Sequence, residues 1–335
     1  MPAAPDILQF LRGQLFQTPQ LPNKSFAGKT VVITGANTGL GFECAKHLIQ
    51  LNVSNLILGC RSVDKGEAAK EKLLTRSKST SVQVWKVDMA DYGSVKSFAN
   101  KLNKDLPRLD ALLVNAGIST NEYHVAERLE QTLTVNVVSS FLLCFLALSK
   151  LSQTAAETGE ASHLTIVGSL VHCFADHQQI VRPPAGKIFA TLSDKSQADM
   201  AARYFLSKLI VLLCVQEMSK QMSRSKEKSG KDAVIFNCPN PGWCKTELFR
   251  QDDGGAFARN LLRLIGRTPE AGARTLTSAI AADVSTHGHY LSECQVKPAS
   301  VWVRSQEGQA VQSKVWKELI DQLNTIEPGV SEALV

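Results

Sequence analysis

A glycine-rich turn between a β-branched strand and a helix is the feature that most constrains the fold. Residues 30–34 read Thr-Val-Val-Ile-Thr, which is typical of a strand buried on both faces. A turn with glycines at 35, 39 and 41 follows, and helix formers with apolar positions at helical spacing continue to Leu51. Such a unit presents free backbone N–H groups at the start of the helix, where an anion such as a phosphate binds.

The three glycines have separate roles in this unit. Gly35 permits the tight turn, Gly39 has no Cβ to block a phosphate, and Gly41 lets the helix pack closely on the sheet. The spacing Thr-Gly-x-x-x-Gly-x-Gly differs from the more widespread Gly-x-Gly-x-x-Gly. Similar turns also occur where no nucleotide binds, so the turn alone does not establish a dinucleotide site.

Strand and helix patterns alternate about seven times along the 335 residues. Strands are predicted at residues 30–34, 55–60, 82–87, 111–114, 162–168, 233–238 and 289–291, and helices at 43–51, 65–74, 94–102, from near 127 to 146, 199–218, 270–282 and 315–320. This alternation predicts an α/β fold, a single Rossmann-type doubly wound parallel sheet of about seven strands with helices on both faces. We place this domain at residues 28–300, between an N-terminal extension (1–27) and a C-terminal extension (301–335).

Composition argues against several classes of function. The net charge of +6 is dispersed without a dense basic stripe, so nucleic-acid binding has little support. The eight cysteines are scattered without a Cys-x-x-Cys pair, which predicts reduced core residues in a cytoplasmic protein and no metal site. Neither an uninterrupted run of about 18 apolar residues nor a signal-peptide pattern is present, so no membrane span is predicted. The short amphipathic segment 7–16 is expected to pack on the domain.

Polar residues stand at the predicted strand ends, where ligands bind in open α/β sheets. Arg61 follows the second strand, where an arginine would pair with a 2′-phosphate and an acid would bind the ribose 2′-hydroxyl; a solvated loop residue is the alternative. Asp88 follows the third strand and is placed either at the adenine edge or at the N-cap of the next helix. The fourth strand runs into Asn115-Ala116-Gly117, whose small residues let the backbone approach a ligand.

Four residues farther along are candidates for chemistry. Asn136 is a polar residue in an apolar helix and needs a hydrogen-bond partner. Ser169 stands at the end of the fifth strand. Tyr204 and Lys208 lie four residues apart and therefore on one helical face, so both can point at one ligand. Such a pair also arises by chance, and by itself it is weak evidence.

Two segments are candidates for lining a substrate pocket. Residues 170–198 form a long irregular stretch, which in a compact domain is usually functional or disordered. Residues 246–266 follow the sixth strand, and their part 254–266 is a candidate mobile lid. The candidate contacts, each of which ordinary packing would also explain, are Phe174, Phe189, Trp243, Phe249, His172 and His177.

In combination and in this order, the motifs resemble the short-chain dehydrogenase/reductase family over residues 28–300. The set includes the glycine turn, Asn115-Ala116-Gly117, Asn136, Ser169, Tyr204-x-x-x-Lys208 and Pro241-Gly242. The stretches 59–61, 65–67, 241–242, 246–248 and 288–292 are similar to the retinol dehydrogenase and WW-domain-oxidoreductase branch. The extended head and tail, including 315–316 and 328–329, resemble reductases of fungal secondary-metabolite pathways.

The resemblance implies roles for individual residues. Tyr204 would be the general acid, Lys208 would stabilise its phenolate and bind the nicotinamide ribose, and Ser169 would hold the carbonyl oxygen. Asn136 would anchor a water that links Lys208 to solvent. The implied cofactor contacts are Gly35, Asn37, Thr38, Gly39, Leu40, Gly41, Arg61, Asp88, Asn115, Ala116, Gly117, Tyr204, Lys208, Pro241, Gly242 and Thr246.

Two positions depart from the family pattern. Val114 replaces the first asparagine of the frequent Asn-Asn-Ala-Gly motif. The interval from Ser169 to Tyr204 is longer than in compact members, which enlarges the loop over the substrate and favours a bulky one.

The sequence therefore predicts an NADPH-dependent reductase that transfers hydride to a ketone or aldehyde of a bulky, largely apolar substrate, such as a secondary-metabolite intermediate. Alcohol oxidation is the reverse reaction. Arg61 favours NADP(H), although Thr38 is not the basic residue of many NADP-preferring relatives. Two other interpretations stay open: an NADP(H)-binding sensor or scaffold, and a cyclase or isomerase that keeps the cofactor as a structural element. Relatives are commonly homodimers or homotetramers.

Overall fold

Ten strands form the sheets in the described part of the chain, which in this computed structural model comprises residues 2–75, 79–229 (side chains of 225–229 excepted), 234–246, 248 and 262–334. Their bounds are β1 (Thr30–Thr34), β2 (Asn55–Cys60), β3 (Ser81–Lys86), β4 (Ala111–Val114), β5 (Val125–Ala126), β6 (Leu129–Glu130), β7 (Ser162–Ile166), β8 (Val234–Asn240), β9 (Tyr290–Ser292) and β10 (Gln295–Val296).

Eight of these strands form one sheet in the order β10-β9-β8-β7-β4-β1-β2-β3. Its strands run parallel except β10, which pairs antiparallel with β9. The predicted parallel sheet is therefore confirmed, and the two-residue edge strand β10, too short for a periodic pattern, is an addition. Because β1 lies between β2 and β4, the strand order reverses there, and a crevice opens at the carboxyl ends of the strands.

Helices cover both faces of the sheet. Their bounds are Ala4–Phe16, Gly39–Gln50, Val63–Leu74, Tyr92–Asp105, Gln131–Leu133, Ser139–Thr158, Gln178–Val181, Ile188–Leu192, Met200–Ser229, Pro269–Ala279 and Gln306–Ile326, with a π-helical turn at Thr134–Val138 and 3-10 turns at Leu170–Phe174, Val284–Thr286 and Val330–Leu334. Side chains of β1 alternate between the two layers: Val32 packs in one apolar cluster, and Val31 and Ile33 pack in the other. This strand is buried on both faces, as its sequence predicts.

The apolar helix of the central region begins later than predicted. Glu127 stands in the turn between β5 and β6, with a φ of 58°, and the helical stretch starts at Gln131. The stretch 131–158 is long and apolar enough to cross a membrane, yet 89% of its most apolar window is buried inside the fold. A helix that is apolar all round is buried in a core, and this one lies beneath the C-terminal helix, where Trp316 stacks on Phe145.

The segment 170–198 is more regular than its sequence indicates. It contains a 3-10 turn and two short helices, and the C-terminal helix holds it in place. The Glu318 carboxylate accepts hydrogen bonds from the backbone N–H groups of Ile188 (3.0 Å) and Phe189 (2.8 Å). Phe189 is fully buried in the core, so the prediction that it lines the substrate pocket is wrong.

Most of the cysteines are core residues, as predicted. All eight are free thiols, and six of them are buried. Burial raises the pKa of the Cys44 thiol to about 12, so this side chain is neutral near pH 7.

A buried ion pair joins the end of β6 to the helix Met200–Ser229, which carries Tyr204 and Lys208. Glu130 and Arg203 are both fully buried, with 3.4 Å between the Glu130 Oε2 and Arg203 Nε atoms. The Glu130 carboxylate also accepts the N–H of Thr132 (2.7 Å), and Arg203 donates to the Leu192 carbonyl (2.7 Å). Removing one partner of such a pair leaves an uncompensated buried charge.

We expect Glu130→Gln to lower the free energy of unfolding by about 3–5 kcal/mol, because Arg203 would stay buried without its counterion. Urea denaturation measures this loss. The matched control is Glu160→Gln, since Glu160 pairs with Lys29 at the surface and is 63% exposed, and an exposed pair contributes less than about 1 kcal/mol. Equal losses in the two variants would contradict the assigned importance of the buried pair.

Candidate active site

A cleft of about 990 Å³ opens at the carboxyl ends of β1, β4, β7 and β8. The sheet register brings the residues that follow these strands to one edge. Most of the predicted site residues line the cleft: Gly35, Asn37, Thr38, Gly39, Leu40, Arg61, Asp88, Asn115, Ala116, Gly117, Ser169, Tyr204, Lys208, Pro241, Gly242 and Thr246. Gly41 and Asn136 lie behind this lining.

The glycine turn has the geometry that a dinucleotide phosphate requires. Gly35 and Gly39 have φ angles of 67° and 59°, and no atom lies within 4 Å of the place where a Gly39 Cβ would stand. The Thr38 side chain makes no capping hydrogen bond to the helix Gly39–Gln50. A Cβ on Gly41 would lie 2.5 Å from the Gly35 carbonyl oxygen, so helix and turn pack closely. These residues fit a bound pyrophosphate.

Asn115 holds the two central strand ends together. Its side-chain amide donates to the carbonyls of Thr34 (2.9 Å) and Gly35 (3.1 Å). The Thr34 hydroxyl accepts the N–H groups of Asn115 (3.0 Å) and Ala116 (3.1 Å). Val114 lies within β4, so its departure from the family motif leaves this network unaffected.

The end of the cleft beside β2 is basic. Arg61 lines it, and so do Ser62 and Lys65, which the sequence reasoning did not single out as cofactor contacts. Lys65 lies in the first turn of the helix Val63–Leu74, four residues after Arg61. This spacing was the sequence feature from which Lys65 could have been predicted as a second cation beside Arg61. The arrangement places two exposed cations and a hydroxyl where a ribose phosphate would lie.

Asp88 lines the cleft at the end of β3, and the alternative role as an N-cap belongs to another residue. The Asp88 carboxylate accepts the N–H of Ala90 (3.0 Å). The cap of the helix Tyr92–Asp105 is Asp91, whose carboxylate accepts the N–H of Ser94 (3.0 Å). The Asp88 side chain is therefore not used as the helix cap and can contact a ligand at the part of the cleft where the adenosine of a dinucleotide would lie.

Tyr204, Ser169 and Lys208 converge on the floor of the cleft. The Tyr204 hydroxyl forms a hydrogen bond with the Ser169 side chain. The Lys208 ammonium group lies 5.7 Å from the centre of the Tyr204 ring and donates to the Val167 carbonyl (2.7 Å). Tyr204 and Lys208 are 7% and 6% exposed, so both reach the cleft from an otherwise buried helical face.

Burial moves the pKa values of these two groups in opposite directions. It raises the pKa of the Tyr204 phenol above its ordinary value, and the Ser169 hydrogen bond partly opposes this shift. Burial lowers the pKa of Lys208 to about 8, because the charged form loses its hydration. A neutral phenol therefore lies beside an ammonium group that titrates close to neutral pH.

Asn136 lies one layer behind the cleft, in the π-helical turn Thr134–Val138. Its amide donates to the Ile118 carbonyl (2.9 Å) and to the Ser207 hydroxyl oxygen (3.0 Å), and its Oδ1 accepts the Ile118 N–H (2.9 Å). The Ser207 hydroxyl donates in turn to the Tyr204 carbonyl (2.7 Å). These partners satisfy the polar side chain; its role in anchoring a water stays a prediction.

The candidate substrate contacts divide into two groups. Phe174 and Trp243 line the cleft as predicted. His172 does not, because its ring is buried between the Ser169 carbonyl (2.8 Å) and the Ser300 N–H (3.1 Å). His177 stacks on Trp302 away from the cleft. Phe249, and the part of the candidate lid from 254 to 261, lie outside the described residues.

Sequence reasoning also missed other lining residues, among them Asn240, Phe205 and Phe10. Asn240, at the end of β8, accepts the N–H groups of Leu170 (2.9 Å) and Gly242 (3.1 Å) and so joins the two turns that flank the cleft. Phe205 follows Tyr204 directly. Phe10 comes from the helix Ala4–Phe16, which is far from the cleft in sequence and carries no local signal for this contact.

Comparison with known proteins agrees with this geometry. Residues 29–160 match the family model described as short chain dehydrogenase. The chain is 40% identical over 327 residues to the short chain dehydrogenase/reductase dmxR8 of Cryptosporiopsis sp. (strain 8999), covering 96% of this chain and 98% of that protein. The chain therefore belongs to the short-chain dehydrogenase/reductase family, a family of oxidoreductases.

The relatives also account for the two extensions. Because the alignment with the Cryptosporiopsis protein covers nearly the whole of both chains, the head and the tail have counterparts there. The curated relatives are fungal short-chain dehydrogenases/reductases of secondary-metabolite pathways, which agrees with the resemblance found in the sequence.

Solved structures share the fold. One is a 3-ketoacyl-(acyl-carrier-protein) reductase from Brucella melitensis complexed with NADH, with a TM-score of 0.57, 17% identity, and coverage of 80% of this chain and 97% of that chain. Another is the Pseudomonas aeruginosa RhlG/NADP complex, with a TM-score of 0.58, 19% identity, and coverage of 80% and 95%. At these identities the likeness concerns the fold.

Proposed function

We propose that this protein is an NADPH-dependent reductase of a ketone or aldehyde on a bulky, largely apolar small molecule, such as a secondary-metabolite intermediate. The observation that carries the proposal is the convergence of Tyr204, Ser169 and Lys208 on the floor of one cleft. The same cleft contains the glycine turn at its centre and two cations at its far end. An acid, an oxygen-binding hydroxyl and a dinucleotide cradle are the parts that carbonyl reduction needs.

In this proposal the chain's own residues bind the substrate oxygen and supply its proton. The Ser169 hydroxyl donates a hydrogen bond to the carbonyl oxygen, and the neutral Tyr204 phenol transfers its proton to the same oxygen. Bound NADPH supplies the hydride that reduces the carbonyl carbon. The Lys208 ammonium group stabilises the phenolate left on Tyr204, which solvent then reprotonates. The product is the alcohol.

The preference for NADPH over NADH is supported by charge at the adenosine end. Arg61 and Lys65 line the cleft there and can pair with a 2′-phosphate. An acid that would bind a ribose 2′-hydroxyl does not follow β2, since the residue at that place is Arg61. The solved structures compared above include one with NADH and one with NADP.

We expect Tyr204→Phe to lower kcat for NADPH-dependent ketone reduction by about 10²–10⁴-fold, because the variant loses its general acid. NADPH oxidation followed at its absorbance band, with a panel of bulky apolar ketones and aldehydes, measures the effect. Tyr92→Phe is the matched control, since Tyr92 lies outside the cleft lining. Turnover of substrate without net NADPH consumption would contradict reduction and favour a cyclase or isomerase, whereas NADPH binding without any turnover would favour a sensor or scaffold.

We expect Arg61→Glu to lower the ratio of kcat/KM for NADPH to that for NADH by about 10–100-fold, because a charge-assisted hydrogen bond is replaced by repulsion. Lys70→Glu is the control for the change in net charge, since Lys70 lies on the neighbouring helix Val63–Leu74, outside the cleft lining, and pairs with Glu67. Retention of the NADPH preference in Arg61→Glu would overturn the role of Arg61.

The pH dependence of reduction should follow Lys208. Its pKa of about 8 keeps the group charged, and the phenolate of Tyr204 stabilised, below that pH. We therefore expect kcat/KM for NADPH, which reports groups of the free enzyme, to be constant below about pH 8 and to fall about tenfold per unit above it. In Lys208→Arg the charge persists, so any residual activity should not decline in this range. A flat wild-type profile up to about pH 9.5 would contradict the assignment.

A further inference from the structure

The N-terminal helix Ala4–Phe16 is attached to the domain with its polar face inward. Asp6, Gly13 and Gln14 are buried, whereas Leu8, Leu15 and Phe16 are 66%, 47% and 80% exposed. A helix held by hydrophobic packing buries the opposite face. The position of this helix is therefore set by directional hydrogen bonds.

Gln14 makes the central contacts. Its side-chain amide donates to the carbonyls of Trp243 (3.1 Å) and Ile265 (2.8 Å), and its Oε1 accepts the Trp243 N–H (3.0 Å). The helix thus holds both backbone polar groups of Trp243, the residue that follows Gly242 in the wall of the cleft. A lateral shift of the helix would break all three bonds.

Arg267 fixes the end of the same helix. Its guanidinium donates to the carbonyls of Gly13 (2.6 Å) and Gln17 (3.1 Å), and it also contacts the Pro241 carbonyl (3.3 Å). Near the start of the helix, the Asp6 carboxylate accepts the N–H of Val301 (3.1 and 3.3 Å). The helix is therefore anchored along its length to the turn at residues 241–243 in the wall of the cleft and to the C-terminal side of the domain.

This anchoring directs one aromatic ring into the active-site cleft. Phe10 lies one helical turn before Gln14, on the inward face, and lines the cleft. Three further aromatic side chains line it near the catalytic tyrosine: Phe174, Phe205 and Trp243. The rings of Phe174 and Phe205 are 6.5 Å apart, and those of Phe205 and Tyr204 are 6.4 Å apart.

We infer that the N-terminal helix is a wall of the substrate pocket, where Phe10, with Phe174, Phe205 and Trp243, binds flat aromatic-ring ketones in preference to small aliphatic ones. Aromatic faces and edges attract one another beyond simple area burial, which favours a planar ring between them. The inference rests on the proposed reductase function and names its substrate class.

The test compares two phenylalanines of one helix. Phe10→Ala removes the cleft ring, and Phe16→Ala removes the exposed ring at the helix end. The substrates are 1-tetralone and cyclohexanone with NADPH. We expect Phe10→Ala to lower kcat/KM for 1-tetralone by about tenfold or more, through KM, and to change cyclohexanone less than about threefold. Phe16→Ala should match the wild type, and Phe10→Tyr should restore most of the loss. NADPH affinity and the thermal midpoint check that cofactor site and fold are intact.

Equal losses for both ketones, or equal effects of Phe10→Ala and Phe16→Ala, would overturn the inference. Calorimetric titration of 1-tetralone into the NADP⁺-loaded protein separates this result from failure of the proposed reaction. If the wild type binds 1-tetralone without reducing it and Phe10→Ala weakens binding while Phe16→Ala does not, the aromatic wall is supported and the reductase function is not. If the wild type neither binds nor reduces 1-tetralone, the substrate class is wrong.

Discussion

The parallel pairing of β1 with β2 on one side and β4 on the other opens the crevice in which the cleft forms. Thr34 and Asn115 lock the two central strand ends through side-chain hydrogen bonds, at the point where the strand order reverses. A displacement there would move the glycine turn relative to Asn115. The packing around Gly41 leaves little room for such a shift, because even an added Cβ at Gly41 would clash with its neighbours. The cleft is therefore a consequence of the strand order, and the strand order also sets the positions of the polar residues at the strand ends.

Behind the cleft, polar side chains in apolar surroundings position the helix Met200–Ser229, which carries Tyr204 and Lys208. Asn136 reaches Ser207, and Ser207 reaches the Tyr204 backbone, while Arg203 pairs with Glu130 in the core. Loss of one partner from any of these contacts would destabilise the fold, because the remaining polar or charged group would be buried without hydration or a hydrogen-bond partner. Such networks favour one arrangement of the helix over its alternatives, and the proposed proton transfer from Tyr204 would need that fixed geometry.

The N-terminal and C-terminal helices differ in the main interaction that attaches each of them to the rest of the fold. The C-terminal helix packs Trp316 against Phe141 and Phe145, so apolar burial holds it. The N-terminal helix is fixed by Gln14 and other polar contacts and leaves large apolar side chains exposed. Burial tolerates small shifts, whereas hydrogen bonds fix register, which suits an element that places a side chain in the cleft.

Periodicity, β-branching and turn chemistry are local properties, so the α/β alternation, the parallel strands, the glycine turn and the motif residues around Tyr204 could be predicted from the sequence. Boundaries shifted where local signals compete: the helix expected near Glu127 yields to a hairpin, and Asp91 caps the helix for which Asp88 was a candidate. The burial of Phe189 in the core and the place of Phe10 in the cleft lining could not be predicted in this way. Those outcomes depend on contacts between residues far apart in sequence, with Glu318 and with the Trp243 turn, and no local pattern encodes them.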